Sequence, residues 1–121
     1  MKRGEVWRVE IRESSGSEIR KTRPAVIVSN DAANRHLPRV IVVPVTSNAG
    51  RLYPGEAIIT VCGLRNKAMT DQIMAVDKMR LKNCLDTLSK NDMMAVEEAI
   101  KIHLALPRGA ELEEVRSRDV K

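Results

Sequence analysis

"KTRPAVIVSN", residues 21–30, sets Lys21 and Arg23 directly ahead of a proline and four apolar residues in a row. Ala25, Val26, Ile27 and Val28 are closed off by Ser29 and Asn30. A short continuous apolar run with such a boundary reads as a central strand buried on both faces. Pro24 has no N–H to give a ladder, so it is expected to open that strand. Arg23 then stands at the strand mouth with its backbone restricted by the proline that follows. Two readings of its guanidinium stay open at this point. Its stem packs and its head pairs with a carboxylate, or the planar fork holds phosphate oxygens bidentately.

Strands continue on either side. "EVWRVEI" (5–11) places Trp7, Val9 and Ile11 at period two, a half-buried strand. "RESSGSEIRKT" (12–22) is polar and Gly/Ser-bearing, a loop. "DAANRHLP" (31–38) is a connection with a helical turn, and "RVIVVPVTS" (39–47) a further β-branched run in which Pro44 marks a bulge or an edge. After the turn-rich "NAGRLYPG" comes "EAIITV" (56–61), a fourth strand; "CGLRNKA" (62–68) reads as a link, "MTDQIMAVD" (69–77) as a fifth strand, and "KMRLKNCLDTL" (78–88) as holding a short last one. Then the period changes. Ser89 with Asp92 three residues on fits a capping box. Met93, Val96, Ile100 and Leu104 recur at helical spacing, so residues 90–106 form an amphipathic helix that Pro107 ends. The fold class is therefore mainly β with α: a small barrel of five to six short strands with one C-terminal amphipathic helix packed on it. Residues 1–107 form the domain, and the charged stretch 108–121 is a tail.

Composition narrows the function. The chain has 121 residues, 43% hydrophobic and 31% charged, which suits one globular domain. It carries a formal charge of +5, and the excess sits in the first half, where ten Lys and Arg face six Asp and Glu. A basic surface favours an anionic partner, nucleic acid first. Trp7 and Tyr53 are the only aromatic residues, which argues against an aromatic stacking platform for single strands. His36 and His103, and Cys62 and Cys84, show no zinc spacing, and no acidic cluster suggests a calcium loop, so no metal and no cofactor is expected. The two cysteines read as reduced, partly buried thiols, and Asp77 with Arg80 as a structural ion pair. No apolar run reaches the ~20 residues of a membrane helix, and "MKRGEVWRVE" lacks the apolar core of a signal peptide. A cytoplasmic location is expected.

Three further positions carry chemistry. Thr46 and Ser47 put two hydroxyls at a strand end, either an ST-turn or a pair of ligands for an anion. Glu18 lies in the loop ahead of Arg23, as a solvated carboxylate or a proton acceptor. The stretches "RGEVWRVE", "GSEIRKTRPAVIVSND", "VVPVTSN", "YPGEAII" and "TDQIMAVDKMRL", in this order and spacing, resemble the MazF/PemK toxins over about residues 3–106. The resemblance implies an SH3-like β-barrel with a C-terminal helix. It implies a metal-independent endoribonuclease, the toxin of a type II toxin–antitoxin pair. Such an enzyme cuts single-stranded RNA through the RNA's own 2′-hydroxyl, leaving a 2′,3′-cyclic phosphate and a 5′-hydroxyl. It further implies a homodimer whose groove takes the RNA or a cognate antitoxin. Carried over residue by residue, the catalytic pair is Arg23 and Thr46, with Glu18 implicated in some members. Arg20, Lys21, Ser47, Arg51 and Gln72 are candidates to bind RNA. Arg20 and Lys21 stand where many members have small neutral residues. Two alternatives remain: a CcdB-like toxin that binds gyrase without cutting RNA, and a non-catalytic nucleic-acid-binding barrel.

Overall fold

The computed structural model describes residues 1–12 and 20–108. Among them are seven strands: β1 (Glu5–Arg12), β2 (Arg20–Ile27), β3 (Arg39–Thr46), β4 (Glu56–Val61), β5 (Leu64–Met69), β6 (Met74–Asp77) and β7 (Leu81–Thr87). Two helices join them, α1 (Asp31–His36) after β2 and α2 (Lys90–His103) at the end. All pairings are antiparallel. The hydrogen-bonded order is β4-β5-β3-β2-β1-β7, with β6 also on β3. The path is open between β4 and β7, so the barrel is not closed by a ladder. A side chain bridges that seam instead: the Cys62 N–H donates to the Asp86 carboxylate at 2.7 Å.

The apolar run of β2 is continuous because its two faces serve two cores. Val26 joins Val6, Val43, Val45, Ile59 and Ala68 in a cluster roofed by Met93, Val96 and Ala99 of α2. Ala25 and Ile27 face the other way, with Val9, Val40, Val42, Val76 and Leu81. The helix starts as expected: the Ser89 side chain caps it, accepting from the Asp92 N–H at 3.1 Å. The capping box is not reciprocal, however. The Asp92 carboxylate accepts from the Thr60 N–H of β4 at 2.8 Å, tying the helix to the sheet. The helix also ends earlier than its apolar period, at His103.

Several expectations need correction. Pro24 does not open its strand, for β2 begins at Arg20. From Arg20 to Pro24 the strand pairs with β1, and it meets β3 only at Ala25–Ile27. A residue without an N–H is tolerated where one strand edge has no partner. "CGLRNKA" is not a link but a hairpin turn and β5. Cys62 (φ 51°) and Gly63 (φ 77°) are both left-handed, as the type I′ hairpin turn requires. The buried positions of β5 include Asn66 and Lys67, so its alternation does not show as apolar and polar letters. Cys62 and Cys84 are free, as expected, but exposed rather than partly buried. Asp77 pairs not with Arg80 but with Arg39, its cross-strand neighbour, at 3.9 Å. No helix among the described residues is long and apolar enough to cross a membrane.

Candidate functional site

β3 is a fork. It pairs with β2 through Val42–Pro44 and with β6 through Arg39–Val42; from Val45 it pairs with β5. Neither Pro24 nor Pro44 can donate to a ladder, and the β2–β3 pairing stops at Ala25–Pro44. Beyond that point β2 and β3 part, and a cavity of about 540 Å³ lies there. Its lining is Ile11 and Arg12 of β1, Arg23 of β2, Pro44 of β3, and the Gln72–Met74 stretch. Ile11 and Met74 are also the half-buried edge of the second core, so the cavity is that core's open end.

Arg23 lies two residues outward of Ala25 and on the same face, by strand alternation. It is solvent-exposed and lines the cavity. Extending the Ala25–Pro44 register by two residues sets Arg23 and Thr46 at matching positions on the two strands, beyond the last paired residues; of the two, Arg23 is among the described lining residues of the cavity. Thr46 is half-buried, and its Oγ1 accepts from the Asn48 N–H at 3.2 Å. That is the ST-turn, and it leaves the hydroxyl hydrogen to donate elsewhere. Ser47 is exposed in the loop just past it. Gln72 sits in a 3₁₀ turn, Thr70–Gln72, and not in a strand as expected. It lines the same cavity as Arg23, with its amide directed at Met69 Sδ, 3.5 Å away.

Lys21 continues the Arg23 row outward on β2, opposite Ile11. Arg20 starts the strand, opposite Arg12. Glu18 lies outside the described residues. Arg51 is in the loop between β3 and β4. Its guanidinium stands 5.2 Å from the Tyr53 ring centre. The structure thus brings Arg23 and Gln72 into one cavity, with Thr46 at the end of β3 and Ser47 and Arg51 in the loop that follows it.

Sequence reasoning missed two features. Arg12 lines the cavity beside Arg23, so among its described lining residues there are two guanidiniums and no carboxylate. The signal was available, since Arg12 ends an amphipathic strand. Lys67, on β5, is 9% exposed and directly opposite Thr46 of β3. Its ammonium donates to the Arg51 carbonyl at 2.9 Å and pairs with Glu56 at 3.4 Å. No local pattern announces such a lysine. Among the described residues, no group of His, Cys, Asp or Glu is placed to hold a metal ion.

Residues 2–104 match the family described as PemK-like, MazF-like toxin of type II toxin-antitoxin system. The chain belongs to the PemK/MazF family. Endoribonuclease MazF9 of Mycobacterium tuberculosis is 39% identical over 115 residues, covering 88% of this chain and 98% of that one. Endoribonuclease MazF of Staphylococcus epidermidis is 32% identical, over 88% and 92%. A solved mycobacterial endoribonuclease in complex with its cognate antitoxin superposes with a TM-score of 0.74 at 26% identity, covering 90% of this chain and 99% of that one. The PemK/MazF match spans every strand of the fork, so both sides of the cleft fall within the family's shared region.

Proposed function

We infer that this protein is the toxin of a type II toxin–antitoxin pair and acts in the cytoplasm as an endoribonuclease on single-stranded RNA, inhibiting translation and growth. The observation that carries this reading is a cavity whose described lining holds Arg23 and Arg12 and no carboxylate, in a chain so similar to named endoribonucleases. In the reaction, the 2′-oxygen of one nucleotide attacks its own 3′-phosphorus. The new P–O2′ bond forms as the P–O5′ bond breaks, and one proton leaves the 2′-hydroxyl while another reaches the 5′-oxygen. The products are a 2′,3′-cyclic phosphate and a 5′-hydroxyl. No outside nucleophile is needed, so the enzyme's work is to hold the backbone in line and stabilise charge on the phosphorane. The Arg23 fork suits two non-bridging oxygens, the Thr46 hydroxyl supplies a third donor, and both act without a metal. Gln72 and Arg12 extend the same lining, and Lys21 continues the Arg23 row along β2.

Residues 1–107 form the functional unit, with 108–121 as a charged tail. The unit is a homodimer, and its partners are the RNA and a cognate antitoxin protein. The test is to incubate pure protein with a long natural RNA in EDTA and map the new ends. Cleavage at a short recurring sequence, leaving 5′-hydroxyl ends, is expected. Activity that vanished in EDTA and returned with magnesium would overturn the metal-free mechanism. Growth arrest with no new RNA ends would favour a gyrase-binding toxin instead. Sedimentation at micromolar concentration should give about twice the chain's 13.5 kDa; a monomer there would overturn the dimer.

A further inference from the structure

A second cluster stands on the β5 side of the cleft. Tyr53 is 50% exposed, and two cations lie over its ring, Arg51 at 5.2 Å and Lys67 at 5.7 Å from the centre. The ring is mounted on a clamp. Glu56 Oε1 accepts from the Tyr53 N–H at 2.7 Å and pairs with the Lys67 ammonium, which also donates to the Arg51 carbonyl. Glu56 and Lys67 side chains are both only 11% exposed, so the clamp is sheltered and its parts are held before anything binds. Lys67 faces Thr46 across the β3–β5 ladder. Cross-strand partners share a face, so a single lysine side chain leads from the Thr46 position to the ring.

We propose that Tyr53, with Arg51 and Lys67 held over its half-exposed ring, is the platform on which a base beside the scissile phosphate stacks. The inference rests on the endoribonuclease reading above and adds a residue that sets its specificity. The chain's scarcity of aromatic residues argues against a platform for a long strand, but one base needs one ring. The half of the ring that stays exposed gives a base an apolar surface, and the two cations over the ring attract the flanking phosphates. Arg51 acts on the substrate directly. Lys67 and Glu56 are positioning residues, because they hold the loop that carries the ring.

The test uses a short single-stranded oligonucleotide spanning one cut site mapped with the wild-type protein. A parallel set carries an abasic nucleotide at each position flanking the cut. Tyr53→Ala should raise KM about tenfold with little change in kcat, since one stacked base accounts for about that factor. Tyr53→Phe, which keeps the ring, should recover most of the loss. One abasic substitution should cost the wild type a similar factor and cost Tyr53→Ala nothing more. An unchanged KM for Tyr53→Ala, or abasic losses identical in the two proteins at every position, would overturn the proposal. A lowered melting temperature with KM unmoved would show that the ring only fastens its loop. Wild-type protein that leaves the RNA intact would bring down the endoribonuclease reading itself, and that outcome is seen before any variant is made.

Discussion

Arg23 extends a row whose inner members, Ala25 and Ile27, are fully buried, and its charge is therefore carried on a stiff mount. A donor held still before substrate arrives needs little reorganisation as phosphorane charge develops, and one such donor is worth ~3–4 kcal/mol. Arg23→Ala should slow single-turnover cleavage by roughly a hundred- to a thousandfold. Arg23→Lys keeps the charge without the fork and should recover only part of that. The side chain is exposed, so stability should move by no more than about 1 kcal/mol in a denaturant melt; a well-folded Arg23→Ala protein cutting at the wild-type rate would assign the arginine a structural role. Lys67 should behave in the opposite way. Lys67→Met strands the Glu56 carboxylate in a nearly buried position and should cost about 3 kcal/mol of unfolding free energy. A loss under 1 kcal/mol would show that water reaches the pair. The contrast explains what could be read in advance. Arg23 and Thr46 announce themselves because each borders an apolar strand. Lys67 takes its meaning from residues up to sixteen positions away, and only the folded chain supplies them.

The elements were legible where their burial follows a simple period. β4 shows as a β-branched apolar run and α2 as helical spacing, and the expected bounds agree with the observed ones to within a few residues. β5 was missed because its inward positions hold polar side chains and its turn uses Cys62, a residue type with no turn preference. β2 starts earlier than its letters suggest, because Pro24 reads as a start signal unless its open edge is known. For α2, the Ser89 cap is testable. Ser89→Ala should cost ~1 kcal/mol in a urea melt, and no change would mean that the Asp92 tie to Thr60 alone fixes the helix start. The loop beneath the Tyr53 clamp has its own anchor at Gly55, which is left-handed (φ 85°). Its carbonyl accepts from the Thr70 hydroxyl. A Cβ there would sit 3.3 Å from His103. Gly55→Ala should therefore destabilise by at least about 1 kcal/mol, and a melt indistinguishable from wild type would show that the helix end can yield.

Over the whole molecule, the open seam between β4 and β7 is held by a charge. The Asp86 carboxyl is held below the usual carboxylate range by the N–H groups of Cys62 and Thr87. Asp31 is lowered in the same way, chiefly by the Arg3 N–H, and Glu5 chiefly by the Lys2 N–H. Each folded-state pKa lies below its unfolded value. The stability these groups contribute is thus complete above the unfolded values near 4 and is lost as pH falls through the folded ones. The melting temperature should hold from neutrality to about pH 5 and then fall. Asp86→Asn should melt lower at pH 7 yet converge with wild type in strong acid; parallel curves at all pH would show that the seam is held otherwise. The fork of β3 reaches further, into the order of events. The β1–β2 and β4–β5 hairpins are local and close early, whereas β3 must find β2, β5 and β6 across longer stretches of chain. A chain that has formed only its hairpins already contains Arg23 and Thr46, but on separate pieces with no cleft between them. Pulse-labelled amide exchange should find β3 protected after both hairpins, at the moment cleavage begins; earlier protection of β3 would reverse that order. A nascent chain that has not yet released residue 77 lacks β6, and with it one wall of the cleft, so the ribosome carries an unarmed toxin for most of its synthesis.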